Sequence, residues 1–136
     1  MVAGTGVEPA TYAGDQSQNF RSDYADNGSG QAVVLVHSSA SGHRQWQRLV
    51  EDLQSRYRLI AVNLFGYGKT SPWPGERPLT VADQAELVLA AADLAPEPAT
   101  LVGHSLGAAV AFEAAARAGT FGLLAATVGN RASAVV

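Results

Sequence analysis

The chain has 136 residues, 47% hydrophobic and 15% charged, with 9 Lys+Arg against 12 Asp+Glu, the profile of one globular domain. A formal charge of −3 with scattered basic residues excludes the basic stripe of a nucleic-acid binder. The absence of cysteine excludes disulfides, a thiolate nucleophile and Cys-ligated metal.

The three histidines, His37, His43 and His104, are too far apart for a helix-borne zinc motif, so no metal is expected. No apolar run approaches the eighteen or so residues of a membrane span, and the opening MVAGTGVEPA has neither a basic start nor an apolar core. The expectation is a cytoplasmic protein with no membrane partner.

Residues 1–18 carry no usable periodicity and read as a loose arm or weak edge structure, followed by a partial domain over 19–136. Asn19–Tyr24 suggests a strand, and Asp26–Gly30 a turn. Ala32–Val36 is an uninterrupted β-branched run, the pattern of a strand buried on both faces. Trp46, Leu49, Val50 and Leu53 recur at helical spacing and predict a helix over 43–55. Tyr57–Val62 is a second buried strand, and a Gly- and Pro-rich loop fills 63–78.

Thr80 with Asp83 forms a capping-box pattern before a helix over 85–94, which Pro96 and Pro98 close. Ala99–Val102 is a third strand, Ser105–Ala118 an Ala-rich buried helix, and Leu123–Val128 a further strand. Strands alternating with helices predict an α/β fold, a mostly parallel sheet with helices on both faces.

The sharpest motif is Gly103-His104-Ser105-Leu106-Gly107, a G-x-S-x-G between a strand and a helix. A nucleophile elbow turns so tightly that side chains flanking its central residue collide with strand and helix, which glycine avoids. Such a turn presents Ser105 at the carboxyl edge of the sheet beside a helix N-terminus, with the Leu106 amide as one oxyanion donor. The plainer alternative is a Gly-bounded loop whose serine is only an N-cap. His37-Ser38-Ser39-Ala40 ends the first buried strand, where an acyl-transfer enzyme needs a second backbone donor.

A rival reading tests the loop Asn63-Leu64-Phe65-Gly66-Tyr67-Gly68-Lys69-Thr70, which misses the phosphate-binding pattern G-x-x-x-x-G-K-[ST] by its first glycine. That motif must open into a helix, and Pro72 and Pro74 argue against one. Phe65 and Trp73 read as pocket wall or core plugs.

Over residues 19–119 the oxyanion-type loop, the Gly66–Thr70 loop and the elbow, in this order, resemble the α/β-hydrolase superfamily. The resemblance implies a serine hydrolase acting on an ester or related acyl bond of a small-molecule substrate, with no cofactor. Ser105 would be the nucleophile, Leu106 and Ser39 the oxyanion donors, and His37 a brace for the oxyanion loop. Ser38 stands where the family usually has glycine, so the donor assignment can shift by one residue. Asn63 stands where the family loop often begins with aspartate. His104 is expected to be packed or loop-bonded, and His43 to face solvent near a pocket mouth.

The superfamily order is nucleophile, acid, histidine. After Ser105 there is no histidine, and Glu113 is the only acid. The expectation is a fold truncated after the nucleophile helix, hydrolytically weak alone and prone to self-association through an unpaired sheet edge. The alternative is a non-catalytic scaffold binding a small hydrophobic ligand or a protein.

Overall fold

The structure is a computed structural model that describes residues 4–11, 19–118, 123–128 and 131–133, with side-chain detail over 21–118. Among the described residues seven strands form one sheet in the order β1-β2-β4-β3-β5-β6-β7: Gly4–Thr11, Asn19–Asn27, Tyr57–Val62, Gln31–Val36, Thr100–His104, Leu123–Val128 and Arg131–Ser133. The inner strands β4, β3, β5 and β6 are parallel, while β1, β2 and β7 pair antiparallel at the two sides.

Strand alternation sorts the core into two layers. Val34, Val36, Ile60, Val62 and Leu101 face helices α2 (Val81–Ala92) and α3 (Leu106–Ala118). Leu35, Leu59 and Ala61 face the other way, against Trp46, Leu49, Val50 and Leu53 on the side of helix α1 (Gln47–Leu53). Parallel register aligns Ile60–Val34–Leu101 and Val62–Val36–Gly103 in rows across the sheet. The second row ends on a glycine, and there α3 descends onto the strands.

The expected helix over 43–55 begins as a 3-10 turn, His43–Trp46, and becomes α-helical (α1) only over Gln47–Leu53. Its N-cap residue, Gly42, has no side chain to offer, and the His43 N–H is satisfied from the next loop by Asn63 Oδ1 (2.8 Å). By contrast α2 starts four residues before the predicted Ala85, since the capping box is complete: Thr80 Oγ1 accepts from Asp83 N–H and the Asp83 carboxylate accepts from Thr80 N–H.

Gly4–Thr11, read from the sequence within a loose arm or weak edge, is the edge strand β1, and β2 runs three residues past the predicted Tyr24. An edge strand tolerates Pro9 and glycines because one side of its ladder needs no partner. The short β7 was not foreseen. After α3 the sheet thus adds β6, the strand expected over Leu123–Val128, before β7.

Candidate active site

Val36 and Gly103 are partners on the adjacent parallel strands β3 and β5, so the two loops leaving their carboxyl ends start side by side. One loop is His37–Gly42, the other the Gly103–Gly107 turn.

The turn is as tight as its glycines imply. A Cβ on Gly103 would lie 2.2 Å from Gly107 O, and one on Gly107 would lie 2.0 Å from Val36 O. Ser105 between them has φ 57, a left-handed conformation costing a serine on the order of 1 kcal/mol. Its carbonyl accepts from Ala108 and Ala109 N–H, so it occupies the N-cap position of α3.

Comparison with Thr80 shows that it does not act as an N-cap. Thr80 has φ −116 and its hydroxyl caps α2, whereas the Ser105 hydroxyl makes no hydrogen bond among the described residues. Nor, among these residues, does the N–H of Leu106 or of Ser39 donate to a protein acceptor.

His37 is fully buried and both of its ring nitrogens are committed. A backbone N–H can only donate, so Nε2 accepts from Leu64 N–H (3.0 Å), and the proton on Nδ1 is donated to Ser38 O (2.8 Å). The ring ties the loop after β3 to the loop after β4 and has no lone pair left for a base.

Burial pushes the His37 pKa below its ordinary value, outweighing the hydrogen bond to Ser38 O, with nearby His43 adding to the depression. The unfolded chain therefore binds a proton on this residue at a pH where the folded chain does not. Its stabilising contribution is present above the ordinary histidine pKa of about 6.5 and is lost as pH falls below it. Thermal melts should accordingly show stability falling between about pH 7 and pH 5, with a shallower slope in His37→Gln. Equal slopes in the two proteins would show that His37 does not titrate on unfolding.

The loop after β4 hangs on a buried polar cluster. Asn63 Nδ2 and Lys69 N–H both donate to Asp23 Oδ2 (2.8 Å each), and Asp23 N–H donates to Thr70 Oγ1 (2.9 Å). Thr70 Oγ1 in turn donates to Asn63 O (2.8 Å). Asn63 is thus the anchor of this loop. The Thr70 hydroxyl is consumed in holding it, and no helix follows until Val81, so the phosphate-loop alternative lacks its essential element. Phe65 is buried, with Trp73 packed edge-on against it (5.3 Å between ring centroids), so both are plugs of the core margin.

Ala40 N–H donates to Tyr67 Oη (3.1 Å), and Tyr67 lies edge-on to His37 (4.6 Å). His43 is half-buried and lines a cleft of about 260 Å³ with Ser41, Gly42, Gln45 and Asn63, in keeping with a place at a pocket mouth. His104 Nδ1 is hydrogen-bonded to Gln45 Nε2 (2.8 Å), so it is loop-bonded as foreseen. Tyr67 and Thr70 belong to the Gly66–Thr70 loop that the sequence singles out, whereas no local pattern marks Asp23 or Gln45, whose partners lie up to 59 positions away. Among the described residues no group of acidic or histidine side chains could hold a metal ion.

The chain belongs to the alpha/beta hydrolase family, whose sequence profile matches residues 33–135. It is 38% identical over 88 residues to a pimeloyl-(acyl-carrier protein) methyl ester esterase of Aliivibrio salmonicida, covering 65% of this chain and 31% of that protein. A thermophilic esterase from Thermogutta terrifontis superposes with a TM-score of 0.73 at 25% identity, covering 83% of this chain and 41% of the other. An epoxide hydrolase from Vigna radiata gives a TM-score of 0.69 at 24% identity over 82% and 35% of the two chains, a likeness of fold alone. The chain spans about a third of the length of the curated relatives it matches.

Proposed function

We propose that this chain carries the nucleophile of a serine hydrolase that cleaves an ester or related acyl bond. The observation that carries the reading is Ser105 itself, held at φ 57 between two glycines that admit no side chain, its hydroxyl making no hydrogen bond among the described residues. Residues held in this sparsely populated conformation concentrate where geometry serves chemistry. The esterase names of the relatives at 37–38% identity support the acyl substrate class.

In this reading Ser105 Oγ attacks the acyl carbonyl, and the Leu106 and Ser39 N–H groups stabilise the resulting oxyanion. Each such donor lowers the barrier by about 3 kcal/mol. The carbonyl re-forms as the alcohol leaves, and water then hydrolyses the acyl-Ser105 ester. The proton of Ser105 needs an acceptor. His37 has its lone pair tied to Leu64 N–H, and His104 Nδ1 is tied to Gln45. The reading therefore gives the role of base to neither His37 nor His104.

Treatment with a fluorophosphonate followed by peptide mass analysis tests it. Ser105 should be modified slowly but in preference to every other serine, because the two amides receive the phosphonyl oxygen even without a base. Ser105→Gly should lose that label and melt higher by roughly 1 kcal/mol, since glycine adopts the left-handed conformation freely. Labelling without preference for Ser105 would sink the proposal.

A further inference from the structure

The two loops that would carry the oxyanion donors are joined by one side chain. Gln45 Oε1 accepts from Ser38 N–H (2.9 Å) and from the Ser38 hydroxyl (3.1 Å), while Gln45 Nε2 reaches His104 Nδ1 (2.8 Å). Because the Ser38 N–H can only donate, the atom facing it must be the amide oxygen, which fixes the orientation of the whole amide. Nε2 is then the donor to His104, whose Nδ1 must carry the lone pair and whose ring proton must sit on Nε2.

Two consequences reach the site. The Ser38 amide is consumed and the Ala40 amide is held by Tyr67, so Ser39 has the one N–H of this trio left without an acceptor among the described residues. The residue peptide-bonded to Ser105, His104, is held from the opposite loop. Gln45 is itself well anchored: its N–H donates to Gly42 O (3.0 Å), and the turn is fixed by the His43 N–H to Asn63, part of the buried Asp23 cluster. The serine at 38, where the family usually has glycine, fits the same device, since its hydroxyl shares the Gln45 oxygen.

We propose that Gln45 is a positioning residue that sets the register of the oxyanion loop against the Ser105 turn, a role that rests on Ser105 being the nucleophile. It touches no reacting atom; it acts through Ser38 and His104.

The test compares the intact chain with Gln45→Ala, Gln45→Glu and, as a control on the neighbouring helix, Gln47→Ala, whose side-chain amide donates to Glu51 (3.4 Å). Two quantities are read: the rate of fluorophosphonate addition at Ser105, and the His104 tautomer from its ring 15N shifts. Gln45→Ala should slow labelling about fivefold, the value of one lost hydrogen bond, and leave His104 without a fixed tautomer. Gln45→Glu keeps the acceptor for Ser38 but offers His104 an acceptor in place of a donor, so the proton should move to Nδ1. Gln47→Ala should change neither quantity.

If Gln45→Ala labels at the wild-type rate, or labels slowly with the His104 tautomer unmoved, the positioning role is overturned. Failure of the wild-type chain to label at Ser105 would instead defeat the nucleophile reading. The tautomer measurement still tests the Gln45 contact in that case.

Discussion

Gly107→Ala should destabilise the protein by about 2–3 kcal/mol or leave it unfolded, even though alanine is the better helix former. Gly107 is the second residue of α3, and the added methyl would lie 2.0 Å from Val36 O and 2.6 Å from both Val36 C and His37 O. These are backbone atoms of the central strand β3 and the residue following it, and β3 is hydrogen-bonded on both sides in a register fixed over its length. The strand cannot retreat, so the helix must lift.

Lifting α3 opens the contacts that its own Val110, Ala111 and Ala114, all fully buried, make with the core on that face of the sheet. The gain in helix propensity is at most about 1 kcal/mol, against an overpacking cost of up to about 3 kcal/mol or more. For a domain whose net stability is of order 5–15 kcal/mol, the difference is easily read in a denaturant midpoint. A variant as stable as the wild type would mean that the helix does not lie on the strand as described.

This same contact explains why the turn was legible in the sequence. Close approach of helix to strand at positions 103 and 107 excludes every side chain, so the requirement is written locally as two glycines around a serine. The buried strands were legible for a similar reason, because layers on both faces demand continuous apolar runs such as Val33–Val36 and Leu59–Val62.

Elements at the sides of the sheet obey weaker rules. Gly4–Thr11 and the polar end of β2 pair on an antiparallel flank, where Pro9, Asp23 and Asp26 are tolerated and no periodicity announces a strand. The connecting polar groups were invisible for a different reason. Asp23 meets Asn63 and Gln45 meets His104 across 40 and 59 positions, and only the assembled sheet brings them together. A site of this kind is half local and half topological, and sequence reveals the local half.

Asn63→Asp restores the residue common in the family and should nonetheless destabilise this chain by roughly 3 kcal/mol at about pH 8. Asn63 and Asp23 are 2% and 4% exposed, and the Asn63 amide nitrogen donates to Asp23 Oδ2 at 2.8 Å. Aspartate keeps the oxygen that accepts His43 N–H but sets a second carboxylate oxygen against the first. Two such groups buried at this separation cannot both ionise, so the pair retains one proton in the folded state at a pH where the unfolded chain has lost it.

The sign follows. The folded variant binds more protons than its unfolded chain, so its deficit relative to the wild type should vanish near pH 4 and grow as pH rises. Adding Asp23→Asn should recover only part of the loss, because Lys69 N–H and position 63 both address the same Asp23 oxygen, and one amide atom cannot serve as acceptor to the first and donor to the second. Parallel pH–stability curves for the wild type and Asn63→Asp would show that these side chains do not meet.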